Sequence, residues 1–216
     1  MMQNRALRIG ITGGIATGKS TVTAYLRGKG YCVLDADRIY HRLIEPGKPL
    51  YQALVKQYGP KIIRRGVIDR HALSHRIFQD AQERDRLNRL THPAVLKEMV
   101  RQADELEKAG AGPIFFDIPL LFELGEQRNL LHLDRIWLIA STLKHQTERL
   151  ERRDSLDHEQ ARLRIQSQYP VEKKRKLADN VFDNDGEEEE LYRQLDRALE
   201  TTGGAQNEEE NDEDNW

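Results

Sequence analysis

The sequence predicts an α/β fold built on an open, parallel sheet of five strands. Short apolar runs rich in Ile, Val and Phe alternate with longer segments of helical periodicity, as expected for strands buried on both faces of a parallel sheet. A glycine-rich segment follows the first apolar run directly, where a strand must turn into a helix. From Ala36 to about Thr91 this alternation is replaced by helical patterns alone, which indicates a helical insertion beside the sheet.

The five strands and the helices between them follow from apolar runs and periodicity. The predicted strands are Leu7–Thr12, Cys32–Leu34, Ile114–Phe116, Ile136–Ala140 and Val181–Phe182. The predicted helices of the core are Lys19–Arg27, Pro93–Lys108, with proline in its first turn, and Leu143–Arg153. Because strands and helices alternate, we expect right-handed crossovers between parallel strands.

The interrupted region and the C-terminal end complete the predicted organisation. The region from Ala36 to about Thr91 contains four helical patterns: Ala36–Ile44, Leu50–Tyr58, Arg70–Phe78 and Glu83–Leu90. We predict a helical substrate-binding insertion over residues 40–92, and a core formed by residues 1–39 and 93–200. Residues 201–216 are acidic and of low complexity, which predicts a disordered tail.

Composition restricts the class of protein. The net charge is −2, but the last sixteen residues carry six acids and no base, so the rest of the chain has a net charge of +4. This mild positive charge suits an anionic ligand and is less than a nucleic-acid binder would carry. No apolar run approaches the ~20 residues of a membrane span, and the single cysteine, Cys32, allows no internal disulfide. We therefore expect a cytoplasmic monomer that binds neither nucleic acid nor membrane.

The segment GITGGIATGKST, Gly10 to Thr21, carries a phosphate-binding motif. Gly13, Gly18, Lys19 and Ser20 match G-x-x-x-x-G-K-[ST], between an apolar strand and a helical pattern. Glycines allow the backbone N–H groups to approach a phosphate chain, and the helix N-terminus adds partial positive charge. Lys19 would bind the β- and γ-phosphates, and the Ser20 hydroxyl would bind Mg²⁺. The expected nucleotide-binding residues are Gly13, Gly14, Ile15, Ala16, Thr17, Gly18, Lys19, Ser20 and Thr21.

The motif alone does not identify the reaction, since kinases, GTPases and larger ATPases share it. The guanine signature N-K-x-D is absent, and a D-x-x-G match at residues 183–186 lies too near the C-terminus for a GTPase. The chain is also short for a mechanical ATPase. A small P-loop kinase with a helical acceptor-binding insertion fits best. A nucleoside or nucleotide kinase and a non-catalytic nucleotide-dependent switch stay open as alternatives.

Three aspartates follow predicted strands. Asp35 and Asp37, in VLDADR, lie at the carboxyl end of the second strand, where open α/β sheets bind ligands. Asp37 is the better candidate to accept the proton of an attacking hydroxyl, whereas Asp35 serves equally well as a helix N-cap. Asp117 ends the third strand, where a carboxylate can support Mg²⁺ through water or simply be a polar strand end. His92, before Pro93, is expected to cap or pack rather than to catalyse.

An arginine-rich helix–loop–helix over about residues 144–168 is the candidate lid. Phosphoryl transfer requires positive charge that closes over the phosphates and excludes water. Arg149 and Arg153 lie one helical turn apart on one face, and Arg164 lies across the loop. These three are our candidates for phosphate contact. The alternative is that they form solvated faces with Glu–Arg pairs.

Six segments in order resemble the dephospho-CoA kinase family: TGGIATGKST, VLDADRIYHRLIEPG, GVIDRHAL, LNRLTHPAV, DIPLLFE and ADNVFDNDG. The resemblance runs from about Arg8 to Leu199. It implies ATP-dependent phosphorylation of the ribose 3′-hydroxyl of dephospho-CoA, the last step of coenzyme A synthesis. It also implies a P-loop core, a helical CoA-binding domain and a lid.

The resemblance also assigns roles to residues of this chain. Asp37, the second aspartate of the D-A-D segment, would be the base, and the lid arginines would be among Arg149, Arg153 and Arg164. The segment from Leu120 through Leu121 and Phe122 to Glu123 would line the acceptor cleft.

Overall fold

The computed structural model describes residues 5–203, and a five-stranded parallel sheet lies at their centre. The strands in chain order are β1 (Arg8–Gly13), β2 (Cys32–Asp35), β3 (Ile63–Arg64), β4 (Val67–Ile68), β5 (Ile114–Asp117), β6 (Arg135–Ala140) and β7 (Asn180–Asp183). The sheet order is β2-β5-β1-β6-β7, and all neighbours pair in parallel. The predicted fold class and its five strands are therefore confirmed. The short antiparallel pair β3–β4 was not predicted, because two residues are too few to show a period.

Helices cover both faces of the sheet and form the insertion. They are α1 (Lys19–Gly28), α2 (Ala36–Leu43), α3 (Pro49–Tyr58), α4 (Arg70–Gln79), α5 (Ala81–Lys108), α6 (Leu143–Asp154), α7 (His158–Gln166), α8 (Val171–Arg175) and α9 (Glu188–Gly203), with 3₁₀ segments at Pro60–Ile62 and Phe122–Leu131. Within residues 5–203, no helix is both long enough and apolar enough to cross a membrane.

Three apolar clusters hold these layers together. On one face of the sheet, α2 and α5 pack on β2 and β5 through residues such as Ile39, Met99 and Phe116. On the other face, α1 and α9 pack on the sheet through residues such as Leu26 and Leu195. The third cluster lies within the insertion; its buried members are Ile44, Leu50, Leu54, Tyr58, Ile62, Ile68, Leu73 and Leu87. The insertion therefore has an apolar core of its own.

One predicted helix boundary is wrong. The patterns Glu83–Leu90 and Pro93–Lys108 belong to the single 28-residue helix α5, and Pro93 lies inside it. Asp80 caps the start of the helix: its carboxylate accepts hydrogen bonds from the backbone N–H groups of Gln82 and Glu83. Proline has no N–H to donate to the carbonyl four residues earlier, so one hydrogen bond is lost. Burial of Leu87 in the insertion and of Leu96 on the sheet holds both halves of the helix in place.

The predicted start of the tail also differs from the structure. Residues 201–203 form the last turn of α9 rather than a disordered segment. Thr202 is buried, and its hydroxyl donates a hydrogen bond to the carbonyl oxygen of Ala198 at 2.6 Å. The apolar residues that precede this turn, Ala198 and Leu199, pack in the cluster on the sheet. Residues 204–216 of the predicted tail lie outside the described residues.

Candidate active site

The turn from β1 into α1 has the shape of a phosphate-binding loop, and two glycines are required for it. Gly18 has φ +91°, a conformation that side-chain-bearing residues rarely adopt. A Cβ atom at Gly18 would lie 2.0 Å from Asn184 Nδ2, and one at Gly13 would lie 2.6 Å from Thr17 Oγ1. The predicted motif is therefore set in a closely packed turn that only glycine permits at these two positions.

Side chains from distant parts of the chain hold this loop. Asn184 Nδ2, after β7, donates to the carbonyl oxygen of Thr17 at 2.8 Å. Arg149, on α6, donates to the carbonyl oxygen of Asn184 at 2.7 Å and to that of Ala16 at 3.4 Å. Gln168 accepts a hydrogen bond from the backbone N–H of Ile15 at 2.8 Å. The loop is thus held by side chains from three separate segments of the chain.

Lys19 and Asp117 form an ion pair at the carboxyl ends of the central strands. Asp117 is only 6% exposed. Burial raises the pKa of the Asp117 carboxyl, and the positive charge of Lys19 acts in the opposite direction. Because a buried charge is costly without a partner, each of these residues holds the other in place. The carboxylate predicted near Mg²⁺ therefore lies beside the lysine of the motif.

A cavity of about 420 Å³ opens on the outer side of the loop. Gly18, the exposed Ser20 and Thr21 line it from the motif, and Arg149 and Arg153 line it from α6. The structure thus brings together the motif and two of the three predicted lid arginines.

The third predicted lid arginine, Arg164, is elsewhere. It is exposed, and its guanidinium pairs with Asp154 at 2.9 Å rather than facing the cavity. Asp154 also pairs with Arg153 at 2.8 Å, so one carboxylate joins α6 and α7. Sequence spacing placed these residues on the correct helices but could not show which way the guanidinium points.

A second cavity, of about 610 Å³, lies between the insertion and the segment after β5. Asp37, His41, Arg70, His92 and Gln168 contribute polar groups to it. Arg70 Nη1 lies 2.6 Å from His41 Nε2. Gln168 lines this cavity and also accepts the hydrogen bond from Ile15, so the cavity lies next to the phosphate-binding loop.

The structure separates the two aspartates of the D-A-D segment. Asp35 caps α2 by accepting a hydrogen bond from the backbone N–H of Arg38 at 3.0 Å, which confirms its predicted capping role. Its other oxygen lies 3.7 Å from Arg27. Asp37 is exposed on the first turn of α2 and accepts no hydrogen bond from any of residues 5–203. Its carboxylate is therefore available to a ligand in the second cavity.

Of the segment Leu120 to Glu123, predicted to line the acceptor cleft, only Leu120 lines the second cavity. Leu120 is 45% exposed and lines the second cavity, whereas Leu121 is fully buried in the core beneath it. Phe122 is buried with the Arg128 guanidinium over its ring, and Glu123 pairs with Lys174 at 2.9 Å. The chain enters a 3₁₀ segment here, so successive side chains point about 120° apart and cannot all face one cleft.

Several residues of the cavities and the loop were not identified from the sequence. His92, expected to cap or pack, is half-buried inside α5 and lines the second cavity, and burial lowers the pKa of its imidazole. Asn184 lies in the D-x-x-G match, which is too near the C-terminus for a GTPase motif. Gln168 lies at the end of the arginine-rich segment that was predicted as the lid. Neither amide follows a periodic pattern, so only the three-dimensional contacts reveal it.

Asp185 joins the end of β7 to the start of α6. One carboxylate oxygen accepts hydrogen bonds from Ser141 Oγ at 2.7 Å and Thr142 N at 2.8 Å, and lies 2.8 Å from His145 Nδ1. Burial opposes ionisation, but the hydrogen bonds from Ser141, His145 and Thr142 outweigh it and lower the pKa of Asp185 to about 2. The N-terminus of the arginine-bearing helix is thereby anchored next to Asn184.

Most of the chain is similar to known proteins. A family model described as dephospho-CoA kinase matches residues 7–190. A dephospho-CoA kinase from Shouchella clausii is 41% identical over 198 residues, covering 91% of this chain and 98% of the relative. A crystal structure of a Thermus thermophilus protein has a TM-score of 0.76 at 35% identity, covering 92% and 98% of the two chains. A shikimate kinase from Acinetobacter baumannii, with a TM-score of 0.52 at 15% identity over 91% and 94%, is similar in fold alone.

The contact between Gly18 and Asn184 predicts a large effect of one added methyl group. Gly18→Ala would strain a positive φ and displace Asn184 from Thr17. We therefore expect the affinity for ATP to fall at least about tenfold, which corresponds to a loss of about 1.4 kcal/mol in binding free energy. Gly28→Ala, in the same helix, meets no atom within 4 Å and is the matched control. Calorimetric titration with ATP and thermal melts of both variants provide the measurement. Equal ATP affinity in the two variants would contradict the role given to this contact.

The pKa of Asp185 predicts a pH-dependent contribution to stability. Its folded pKa of about 2 is below the ordinary 3.8, so the stabilisation is complete above about pH 4 and is lost as the pH falls through this range towards 2. The difference in free energy of unfolding between wild type and Asp185→Asn should therefore be larger near pH 7 than near pH 3. Urea unfolding at both pH values measures it, with Asp85→Asn, an exposed position on α5, as control. A difference that does not change with pH would refute the prediction.

Proposed function

The chain belongs to the dephospho-CoA kinase family, and on this premise we propose that the two cavities described above bind one substrate each. The protein transfers the γ-phosphoryl group of ATP to the 3′-hydroxyl of dephospho-CoA, which yields coenzyme A and ADP in the last step of coenzyme A synthesis. In our assignment the 420 Å³ cavity holds ATP and the 610 Å³ cavity holds dephospho-CoA. The unpaired carboxylate of Asp37 in the second cavity is the observation that carries this proposal.

The nucleotide side supplies positive charge and a fixed loop. Phosphoryl transfer depends mainly on positioning and on electrostatic stabilisation of the phosphate oxygens. Lys19 would exchange part of its interaction with Asp117 for the β- and γ-phosphates. Arg149 and Arg153 line the same cavity and would neutralise charge on the transferred group. Arg164 would act only through Asp154, which it shares with Arg153.

The residues present fit Mg²⁺ bound together with the nucleotide. Among residues 5–203 no cluster of three or more His, Cys, Asp or Glu side chains could hold a metal ion alone. Mg²⁺ commonly keeps several waters and takes one or two protein ligands plus substrate phosphates. The Ser20 hydroxyl is exposed in the cavity, and we assign it as the direct ligand, with Asp117 in support. The ion would supply charge neutralisation on the phosphates.

On the acceptor side, Asp37 would orient the attacking hydroxyl and accept its proton. Arg70 contributes a positive charge to the cavity, which suits the pyrophosphate group of dephospho-CoA. Leu120 contributes an apolar wall. In this proposal the insertion, residues 40–92, binds the acceptor, residues 1–39 and 93–200 bind ATP, and the segment 144–168 closes over the phosphates.

The first prediction of this proposal concerns the two aspartates. Asp37→Asn should lower kcat by about 10²–10⁴-fold and leave ATP affinity unchanged, because the phosphate-binding loop is not altered. Asp35→Asn is the matched control; asparagine also caps helices well, so activity should be largely kept. Steady-state kinetics and ATP titration of both variants measure these effects. If Asp35→Asn loses activity and Asp37→Asn keeps it, the two roles are exchanged.

The second prediction concerns the acceptor. ADP release, measured with a coupled assay, should be fastest with dephospho-CoA among a panel that includes nucleosides and nucleoside monophosphates. The second cavity is large enough for more than a nucleoside and carries the positive charge that a pyrophosphate requires. Faster turnover of any nucleoside or nucleotide would favour the alternative kinase, and ATP binding without phosphorylation of any acceptor would favour a nucleotide-dependent switch.

A further inference from the structure

The short connection between α7 and α8 is attached to the acceptor side of the site. Glu123, after β5, accepts a hydrogen bond from the backbone N–H of Tyr169 at 3.3 Å. The same carboxylate pairs at 2.9 Å with Lys174, which is only 1% exposed. Removing the counter-ion of a buried lysine is costly, so this pair holds α8 to the segment that follows β5, and the hydrogen bond from Tyr169 attaches the connection to the same carboxylate.

The residue before Tyr169 reaches the phosphate-binding loop. Gln168 Oε1 accepts a hydrogen bond from Ile15 N at 2.8 Å, and the Gln168 side chain also lines the acceptor cavity. Within the part of the chain that the structure describes, this hydrogen bond ties the connection to the loop. The loop amide of Ile15 and the acceptor segment are therefore held at a fixed separation through two adjacent residues, Gln168 and Tyr169.

We propose that Gln168 is a positioning residue, which aligns the phosphate-binding loop with the acceptor cavity so that the acceptor hydroxyl faces the γ-phosphate. The role rests on the assignment of the second cavity to the acceptor. Reacting atoms must approach to about 3–3.5 Å, and a misplacement of about 1 Å can cost 10²-fold in rate. A carboxamide oxygen is suited to this task, because it accepts a hydrogen bond from the amide without adding a negative charge beside the phosphates.

Gln168→Met tests the role, since methionine has a similar length but no carbonyl oxygen to accept the hydrogen bond. Gln166→Met is the matched control: Gln166 is exposed at the end of α7 and makes no hydrogen bond through its side chain within the described residues. The measurements are kcat, KM for dephospho-CoA, ATP affinity, melting temperature and the ratio of ADP released to coenzyme A formed.

A positioning role predicts that Gln168→Met lowers kcat at least about tenfold while ATP affinity stays within about threefold and the melting temperature changes little. The ratio of ADP to coenzyme A should also rise, because water competes better for a γ-phosphate that is not aligned with the acceptor. Gln166→Met should behave as wild type.

Three results would overturn the inference. The first is an unchanged kcat in Gln168→Met, and the second is an equal loss in Gln166→Met. The third is a loss of kcat that runs parallel to losses of ATP affinity and melting temperature, which indicates a merely structural role. Wild-type protein in the same assay separates these from failure of the proposed function, since that failure would appear as no turnover of dephospho-CoA by wild type.

Discussion

The turn from β1 into α1 is the constraint on which the rest of the structure depends. Parallel strands end at one edge of the sheet, so the segments that follow β5, β6 and β7 all begin near this turn. Each contributes one polar group to it: Asp117 to Lys19, Arg149 to Ala16 and Asn184 to Thr17. These three groups bind carbonyl oxygens and the lysine of the loop and not its backbone N–H groups, which are the groups that would approach a phosphate.

Two lysine–carboxylate pairs, each with one buried partner, hold the site. Lys19 and Asp117 lie at its centre, and Lys174 and Glu123 lie at its margin. Replacing a buried pair by apolar residues is often neutral for stability, whereas removing one partner is costly. Such pairs therefore contribute to a single arrangement of the surrounding segments more than to the total stability. Here that arrangement joins the segment after β5 to the loop and to the connection after α7.

The sequence was sufficient for the fold because apolar runs, glycines and helical periods are local signals. All five strands and the motif from Gly13 to Thr21 could be predicted from them. Contacts between segments that are distant in the sequence could not be predicted in this way. The pairing of Arg164 with Asp154, the burial of Leu121 and the hydrogen bond from Ile15 N to Gln168 depend on side-chain directions that are set only when the helices pack. Pro93 misled the helix prediction for the same reason, since tertiary packing on both sides outweighs one lost hydrogen bond.

Helix α5 connects the insertion to the sheet, so its orientation affects both. Its 28 residues span about 42 Å, at about 1.5 Å per residue, and one half packs in the insertion while the other packs on the sheet. Because the helix is long, a small tilt moves its distant residues noticeably: a tilt of about 5° moves a point about 20 Å from the pivot by nearly 2 Å. Asn88 and His92 lie on this helix and line the second cavity. A change in the angle of α5 against the sheet would therefore change the width of that cavity, and Pro93, which donates no backbone hydrogen bond, is a weak point in the helix between the two halves.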